Sequence, residues 1–285
     1  EDSGAATEGP ATSWSLTLNP TALTINNNDR PANEVLVAFN DLDIYTDGQT
    51  GISAGNGGSL SITKGTLNTT GQTGLTFNNI DININLTSVD VNDVALPTGE
   101  NNALEFTNVS GSFAVSGDTN LGQSATEIGD QTVGTGIDID SSDATFTLAN
   151  VNIDRRDRGI AINNTKGALQ FGATTIEENG AGTEGAGVQV SGTTDGSVLF
   201  GSLTINNSGG EGVQLVDNKA SFNVTGSTTI EGATRTSIEI ANGTGGVTFG
   251  GSVDIKDRGD FGIDIQRGDQ NIAFGATVID NVKDS

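Results

Sequence analysis

The feature that most constrains the fold is a pair of apolar residues, separated by one position and usually preceded by Gly, that returns about every 25 residues. Successive pairs begin 23, 28, 25, 25 and 25 residues apart. A unit this short cannot enclose a core of its own, so neighbouring units must stack to bury a shared apolar strip. The pairs are Ile137/Ile139, Ile160/Ile162, Val188/Val190, Val213/Leu215, Ile238/Ile240 and Ile263/Ile265.

Two further apolar pairs follow in each repeat, which predicts three short strands per coil. In a strand both members of a pair point to one side, so the pairs are expected to line the interior. Each second pair contains a Phe, which predicts an internal aromatic stack. The second pairs are Phe146/Leu148, Leu169/Phe171, Val198/Phe200, Phe222/Val224, Val247/Phe249 and Ile272/Phe274. The third pairs are Val151/Ile153, Thr174/Ile176, Leu203/Ile205, Thr228/Ile230 and Val253/Ile255.

The N-terminal half follows the same pattern with more irregular connections. Further first strands are predicted at Ile52, 75–77 and 104–106, whereas residues 118–136 are too long for a plain turn and are predicted to bulge from the side. These units predict about nine or ten coils and a rod about 45–50 Å long at the ordinary strand spacing. The Gly before each first strand is expected where a corner needs positive φ or a close backbone approach.

The chain is predicted to be one domain with three parts. Residues 1–13 are small, polar and acidic, which predicts a flexible leader. Residues 14–50 predict capping strands and a first irregular coil, and residues 51–285 predict the β-helical array. Exposed strands at the end of the array predict that it continues or is capped by another chain, and that coil ends provide a surface for self-association.

Composition restricts the function classes. The formal net charge of −24, from 36 Asp and Glu against 12 Lys and Arg, disfavours binding to nucleic acid and to anionic bilayers. No apolar stretch in the sequence is long enough to cross a membrane, so insertion is not expected. The sequence has no Cys or His, which removes thiolate and imidazole metal ligands and every catalytic scheme built on them. An exported, extracellular or cell-surface protein is expected.

The Gly-led motifs resemble those of right-handed parallel β-helices. The resemblance covers about residues 50–285 and is to the pectate-lyase-like fold, most closely to passenger regions of bacterial autotransporters and other large surface proteins. It implies an all-β, single-domain, right-handed parallel β-helix, and that fold carries lyases, hydrolases, tailspikes and adhesins alike. The motifs are G-I-x-I at Gly136–Ile139, Gly159–Ile162 and Gly262–Ile265, and G-V-x-V/L at Gly187–Val190 and Gly212–Leu215.

The outward residues of the first strands form the candidate interaction surface. This row holds no Lys or Arg that could act as the base of a lyase, and no catalytic residues are assigned. No cofactor is expected, although Ca²⁺ is compatible with so acidic a surface and its ligands cannot be placed. The polar members of the row are Asp138, Gln189, Gln214, Glu239 and Asp264, and Ala161 lies between the first two.

One predicted corner is rich in charge. Residues 154–158 read Asp-Arg-Arg-Asp-Arg in an otherwise acidic chain. One interpretation is a basic spot that contacts an anionic sugar. The other, which we favour, is a loop that neutralises itself by pairing with nearby carboxylates.

These observations predict a non-enzymatic extracellular structural or adhesive protein, such as a rigid surface stalk, an adhesin, or a matrix or filament subunit. The alternative is a polysaccharide-binding or polysaccharide-degrading β-helix, a lyase or glycosidase, with a cleft flanked by the longer loops at 92–103 and 118–136. The expected partners are further copies of the chain and a glycan or cell-surface ligand.

Overall fold

A computed structural model describes residues 14–17, 23–26, 36–48, 50–93, 102–123, 134–177, 185–192, 196–256 and 259–280, which form strands and turns with no helix among them. The first ten strands are β1 (Trp14–Thr17), β2 (Leu23–Asn26), β3 (Leu36–Phe39), β4 (Leu42–Asp47), β5 (Ile52–Gly55), β6 (Ser59–Ile62), β7 (Gly65–Thr70), β8 (Leu75–Leu86), β9 (Ser88–Asp93) and β10 (Leu104–Gln123).

The remaining strands follow the shorter repeats of the C-terminal half. They are β11 (Ile137–Asp140), β12 (Thr145–Asp154), β13 (Ile160–Asn163), β14 (Ala168–Glu177), β15 (Val188–Ser191), β16 (Ser197–Asn206), β17 (Val213–Val216), β18 (Ser221–Val224), β19 (Thr228–Glu231), β20 (Ile238–Ala241), β21 (Val247–Phe249), β22 (Val253–Lys256), β23 (Ile263–Gln266), β24 (Ile272–Phe274) and β25 (Thr277–Ile279).

The strands form three parallel ladders, here called the first, second and third faces. Each strand pairs with its equivalents one turn earlier and one turn later, so that β13 pairs with β11 and β15 on the first face. In several turns the second and third strands are continuous, as in β12, and β10 contributes to all three faces. The predicted three-strand coil is therefore confirmed.

The chain is a parallel β-solenoid of about eight turns, slightly fewer than the nine or ten coils expected. Within the described residues, the buried core extends from β4 to β22, and further strands pair with these turns at both ends. Strands β1, β2 and β3 pair in parallel with β4, β5 and β6, so they join the same ladders. That they cap the array remains a prediction, and the leader expected at 1–13 lies outside the described residues.

The core is a column of side chains in which Phe stacks on Phe. Ring centroids lie 4.9 Å apart for Phe171 and Phe200, and 5.2 Å apart for Phe249 and Phe274. Phe222 bridges these two pairs at 5.7 Å from each. A second group, Phe77, Phe106, Phe113 and Phe146, packs between the first and second faces through tilted and edge-to-face ring contacts. The predicted aromatic stack is confirmed, as two groups.

The corner after each first strand is turned by a residue with positive φ, and this residue is most often Asn. Asn tolerates the left-handed region better than other residues with a side chain. Asn108 also donates from Nδ2 to Oδ1 of Asn79, its equivalent one turn earlier, at 2.9 Å. The residues are Asn56, Asn79, Asn108, Ser141, Asn164, Gly192, Asp217, Asn242 and Arg267.

The Gly that precedes most first strands allows a close backbone approach and does not have positive φ. Ala103 and Ser237 hold the same position before β10 and β20. A Cβ at Gly187 would lie 2.8 Å from the carbonyl oxygen of Gly212 in the next turn, and 2.8 Å from Cγ2 of Ile205. The equivalent contacts at Gly159 and Gly136 are similarly short. Successive turns can therefore approach to hydrogen-bonding distance at this corner because no side chain lies between them.

The bulge predicted for residues 118–136 is wrong over its first part. Residues 118–123 form the third-face portion of β10, pairing with β9 and β12. Thr119 and Leu121 are the inward pair of this strand and are buried. Because Thr119 is polar, the sequence does not show an apolar pair here. Residues 124–133 lie outside the described part of the chain.

At the other end, the turn of β23, β24 and β25 is less enclosed than those before it. Ile263, Ile272 and Phe274 are only partly buried, and Ile265 and Val278 are exposed. The strands of this turn pair with β20, β21 and β22 on one side. Their apolar side chains thus cover the core of the preceding turn while remaining accessible themselves.

Replacing Gly187 with Ala is expected to lower the free energy of unfolding by about 1–3 kcal/mol, because the added methyl overlaps a carbonyl oxygen and a packed side chain. Gly246→Ala is the matched control, since the nearest atom to its Cβ would be 4.0 Å away. Chemical denaturation monitored by circular dichroism measures both. Equal stability of the two variants would contradict the close-packing explanation.

Buried threonines alternate with aliphatic residues in one inward column of the third face. From β10 to β22 the column reads Thr119, Val151, Thr174, Leu203, Thr228 and Val253. The hydroxyl oxygens of Thr119, Thr174 and Thr228 are buried and have no hydrogen-bond partner. A buried hydroxyl without a partner is costly, whereas an equivalent methyl is not.

Thr174→Val is therefore expected to raise the free energy of unfolding by about 1 kcal/mol, because it removes the unpaired hydroxyl and keeps the shape of the side chain. Thr175→Val, at the neighbouring outward position, should change it by less than about 0.5 kcal/mol. Thermal and urea unfolding of both variants tests this. A destabilised Thr174→Val protein would mean that the hydroxyl donates a hydrogen bond.

Candidate functional site

Four of the five residues predicted for the interaction surface lie in consecutive turns on the first face. Gln189 donates from Nε2 to Oε1 of Gln214 at 2.7 Å, and Gln214 donates from Nε2 to Oε2 of Glu239 at 2.8 Å. Glu239 and Asp264 are register partners, as expected, and Asp264 accepts a hydrogen bond from Gln266 at 2.5 Å. Most of the row is thus occupied by hydrogen bonds along the surface.

Asp138 is separated from this ladder by Ala161, which is buried although it lies at an outward position. The side chain at position 161 ends at Cβ, so it cannot hydrogen-bond to its neighbours in the row. The hydrogen-bonded ladder of Gln189, Gln214 and Glu239 therefore does not extend to Asp138. Asp138 forms a separate site with residues of the preceding turn.

The surroundings of Asp138 favour its protonated form. Burial is the main cause that raises the pKa of Asp138 above its ordinary value, and the carboxylates of Glu105 and Asp140 raise it further. Arg158 and a hydrogen bond from Asn102 Nδ2, at 3.0 Å from Oδ2, act in the opposite direction. Glu105 is the register partner of Asp138, so the two residues lie side by side on the first face with their backbones one strand spacing apart.

The charged corner at 154–158 is partly buried, which sequence reasoning did not predict. Arg156 is 1% exposed and donates from Nη2 to the carbonyl oxygen of Gly122 at 3.5 Å. Arg155 lies 3.9 Å from Asp154, measured from Nε to Oδ1. Arg156 is therefore inaccessible to an anionic sugar, and the Arg155–Asp154 pair fits the self-neutralising interpretation.

A second polar surface, which sequence reasoning missed, lies on the third face. Asn152 donates from Nδ2 to Oδ1 of Asn120 at 2.9 Å, and Asn150 donates from Nδ2 to Oδ1 of Asp118 at 3.0 Å. We call Asn120 and Asn152 the amide pair. Only the register of β10 against β12 brings these residues together, and that register was hidden by the unrecognised strand at 118–123.

Beside the amide pair is a notch of about 240 Å³. Gly122 lies at the centre of its lining. The equivalent residue is Asn92 in the preceding turn and Asp154 in the following turn. The missing side chain leaves a gap in an otherwise continuous outward column. The third-face notch is lined by Asn92, Asn120, Leu121, Gly122, Asn152, Ile153, Asp154, Thr175 and Glu177.

Two other shallow grooves lie at corners of the solenoid. One, between the second and third faces, is lined mainly by Ala, Val and Thr side chains around Ala114 and Ala149. The other, between the first and second faces, surrounds the hydrogen-bonded Asn79 and Asn108 and includes Asp81 and Asp143. In the second groove Asp81 already accepts a hydrogen bond from Ser110 at 2.8 Å.

The described residues contain neither a cluster of metal ligands nor a membrane-spanning helix. There, no three acidic side chains are grouped so that they could hold a metal ion. The same residues contain no helix of the length and apolar character needed to cross a membrane. Calcium binding therefore remains a prediction made from the composition.

No protein-family model, curated protein or solved structure shows significant similarity to the chain. The structure supports the part of the resemblance that concerns fold, a repeating parallel β-solenoid. Kinship with surface-protein arrays remains a proposal.

Asp138→Asn is expected to stabilise the protein at neutral pH. Because the pKa of Asp138 is raised on folding, its ionised form weakens the folded state above that pKa, and the penalty disappears below the ordinary Asp pKa of 3.8. The difference in melting temperature between variant and parent should therefore be positive at pH 7 and shrink on acidification. Circular dichroism melts across this pH range provide the measurement.

Asp264→Asn, in the same outward row, is the control for removing one negative charge from a chain of net charge −24. A smaller gain is expected there. An equal gain at both positions, or a gain at Asp138 that does not change with pH, would contradict the role assigned to burial.

Proposed function

We propose that this protein is a non-enzymatic structural or adhesive element of the extracellular space or cell surface, acting as a rigid β-helical rod. The observation that carries this proposal is the pairing of outward side chains from turn to turn. Gln189, Gln214 and Glu239 on the first face, and Asn120 and Asn152 on the third, bond along the axis. Side chains that bond in this direction stiffen the stack and do not converge on a reacting group.

Rigidity is supported by the core as well as by the surface. Buried aliphatic and aromatic side chains continue without interruption from the turn of β5 to that of β22. Each turn is bonded to the next along all three faces. A rod of this kind suits a stalk, an adhesin or a matrix subunit, since bending it would break backbone hydrogen bonds and core contacts together.

Self-association at the coil ends belongs to the same proposal. The partly exposed Ile272 and Phe274 and the exposed Ile265 and Val278 provide apolar surface at the turn of β23, β24 and β25. Open strand edges with such side chains favour pairing with another strand. The high net negative charge opposes association through the sides of the rod.

The second candidate function is polysaccharide binding or degradation. Binding is favoured by the third-face notch, and degradation by the neighbouring carboxyl groups of Glu105 and Asp138, since the pKa of Asp138 is raised. Glycosidases of the retaining type use two carboxyl groups about 5 Å apart, one of which must hold a proton. Catalysis here would require Asp138 to donate that proton to a sugar on the first face.

Shape and turnover together test the proposed function. Small-angle scattering and negative-stain microscopy are expected to show an elongated particle whose solenoid of about eight turns is about 40 Å long. Incubation with neutral and acidic polysaccharides should release no product detectable by reducing-end assay. Product that disappears in the Asp138→Asn variant would instead identify a glycosidase. Concentration series in both shape measurements would show whether rods join end to end.

A further inference from the structure

The third face contains a break in an otherwise regular surface. At its outer column, Asn92, Asp154 and Glu177 present side chains, but Gly122 between Asn92 and Asp154 does not. From this break and its surroundings we infer that the third-face notch binds one unit of a neutral, hydroxyl-rich saccharide chain that lies along the solenoid axis.

The size and chemistry of the notch suit a single sugar unit. Its volume of about 240 Å³ is below the roughly 300–1,000 Å³ typical of pockets for larger ligands. Asn120 and Asn152 offer amide N–H and carbonyl groups, and Thr175 offers a hydroxyl. The bond between the two amides uses one N–H and one acceptor position, whereas an amide side chain can make about four hydrogen bonds.

The polar groups that line the notch favour a ligand rich in hydroxyl groups over an ionic ligand. Sugar hydroxyls donate and accept hydrogen bonds at once, so they match a site where amides lie beside the carboxylates of Asp154 and Glu177. An anionic ligand is disfavoured, because no Lys or Arg lines the notch and both charged lining residues are acidic. The neighbouring guanidinium groups of Arg155 and Arg156 are occupied by Asp154 and by the carbonyl oxygen of Gly122. A metal ion is not favoured in the notch, because the described residues contain no group of three or more acidic side chains that could hold one.

The direction of the chain follows from the rest of the face. Tyr45 lies in the same outward column as Asn120, three turns away through Asn68 and Asp90, or about 14 Å at the ordinary strand spacing. Its side chain is 55% exposed. An exposed aromatic ring offers an apolar face and a hydroxyl, which suits contact with a sugar ring. A saccharide anchored in the notch would reach Tyr45 by following the axis.

Gly122→Gln provides a direct test, because it fills the notch without strain. The Cβ at position 122 would approach only Asn92 Oδ1, at 3.4 Å, and φ there is not positive. The probes are cellohexaose, mannohexaose and laminarihexaose, with hexagalacturonate as the acidic probe, titrated calorimetrically in EDTA. At least one neutral probe should bind, and Gly122→Gln should weaken that binding by about tenfold or more.

Two further variants separate the site from general effects. Gly246→Gln, where the nearest atom to Cβ is 4.0 Å away, should bind as the parent does. Tyr45→Ala should weaken binding of the hexasaccharide but not of the trisaccharide of the same sugar. Unchanged melting temperatures would show that the variants are folded.

Three outcomes would overturn the inference: none of the neutral probes binds, Gly122→Gln binds as tightly as Gly246→Gln, or hexagalacturonate binds best. The inference rests on the adhesive form of the proposed function, and the two can fail separately. If Gly122→Gln binds as tightly as Gly246→Gln, the saccharide site is wrong but the structural function of the rod stands. If a bound probe is cleaved, the non-enzymatic function is wrong but the saccharide site stands.

Discussion

The structure depends on the hydrogen bonding of each turn to the next in strict register. Ile160 N donates to Gly187 O at 2.9 Å, and Val188 N donates to Gly212 O at the same distance one turn later. Because equivalent positions must lie one strand spacing apart, every residue packs chiefly against its own counterparts. This single constraint explains why Phe stacks on Phe in the core, why Gly recurs where backbones touch, and why Asn recurs at the first corner.

The same constraint has different consequences for different polar groups on the surface. An amide carries both donors and an acceptor, so a column of Asn or Gln can continue from turn to turn, as Gln189 and Gln214 do. A carboxylate only accepts, so it can end such a column, as Glu239 does, but cannot extend it. Where two carboxylates meet in register, as at Glu105 and Asp138, charge repulsion adds to burial and the pKa of Asp138 rises.

The inward positions were predictable from the sequence because strand alternation and the repeat act together. The pairs such as Val188/Val190 and Ile238/Ile240 lie where they were expected. The inward Thr174 and Thr228 were also predicted, because they lie in regular repeats. Prediction failed at Thr119, which lies in an irregular repeat, and at Arg156, a charged residue that is buried. The third-face notch could not be predicted for a related reason. Only the register of β10 with β9 and β12 shows that Gly122 interrupts a column of longer side chains.

Breaks in a regular column are where a solenoid can acquire specificity. A uniform row of amides would hold a repeating ligand equally well in many positions, because shifting the ligand by one turn restores the same contacts. A gap at one position removes that equivalence, since only one unit of the ligand can enter it. Gly122 breaks the outer column of the third face in this way, so the notch would set the position of a saccharide chain that the neighbouring amides hold without preference for position.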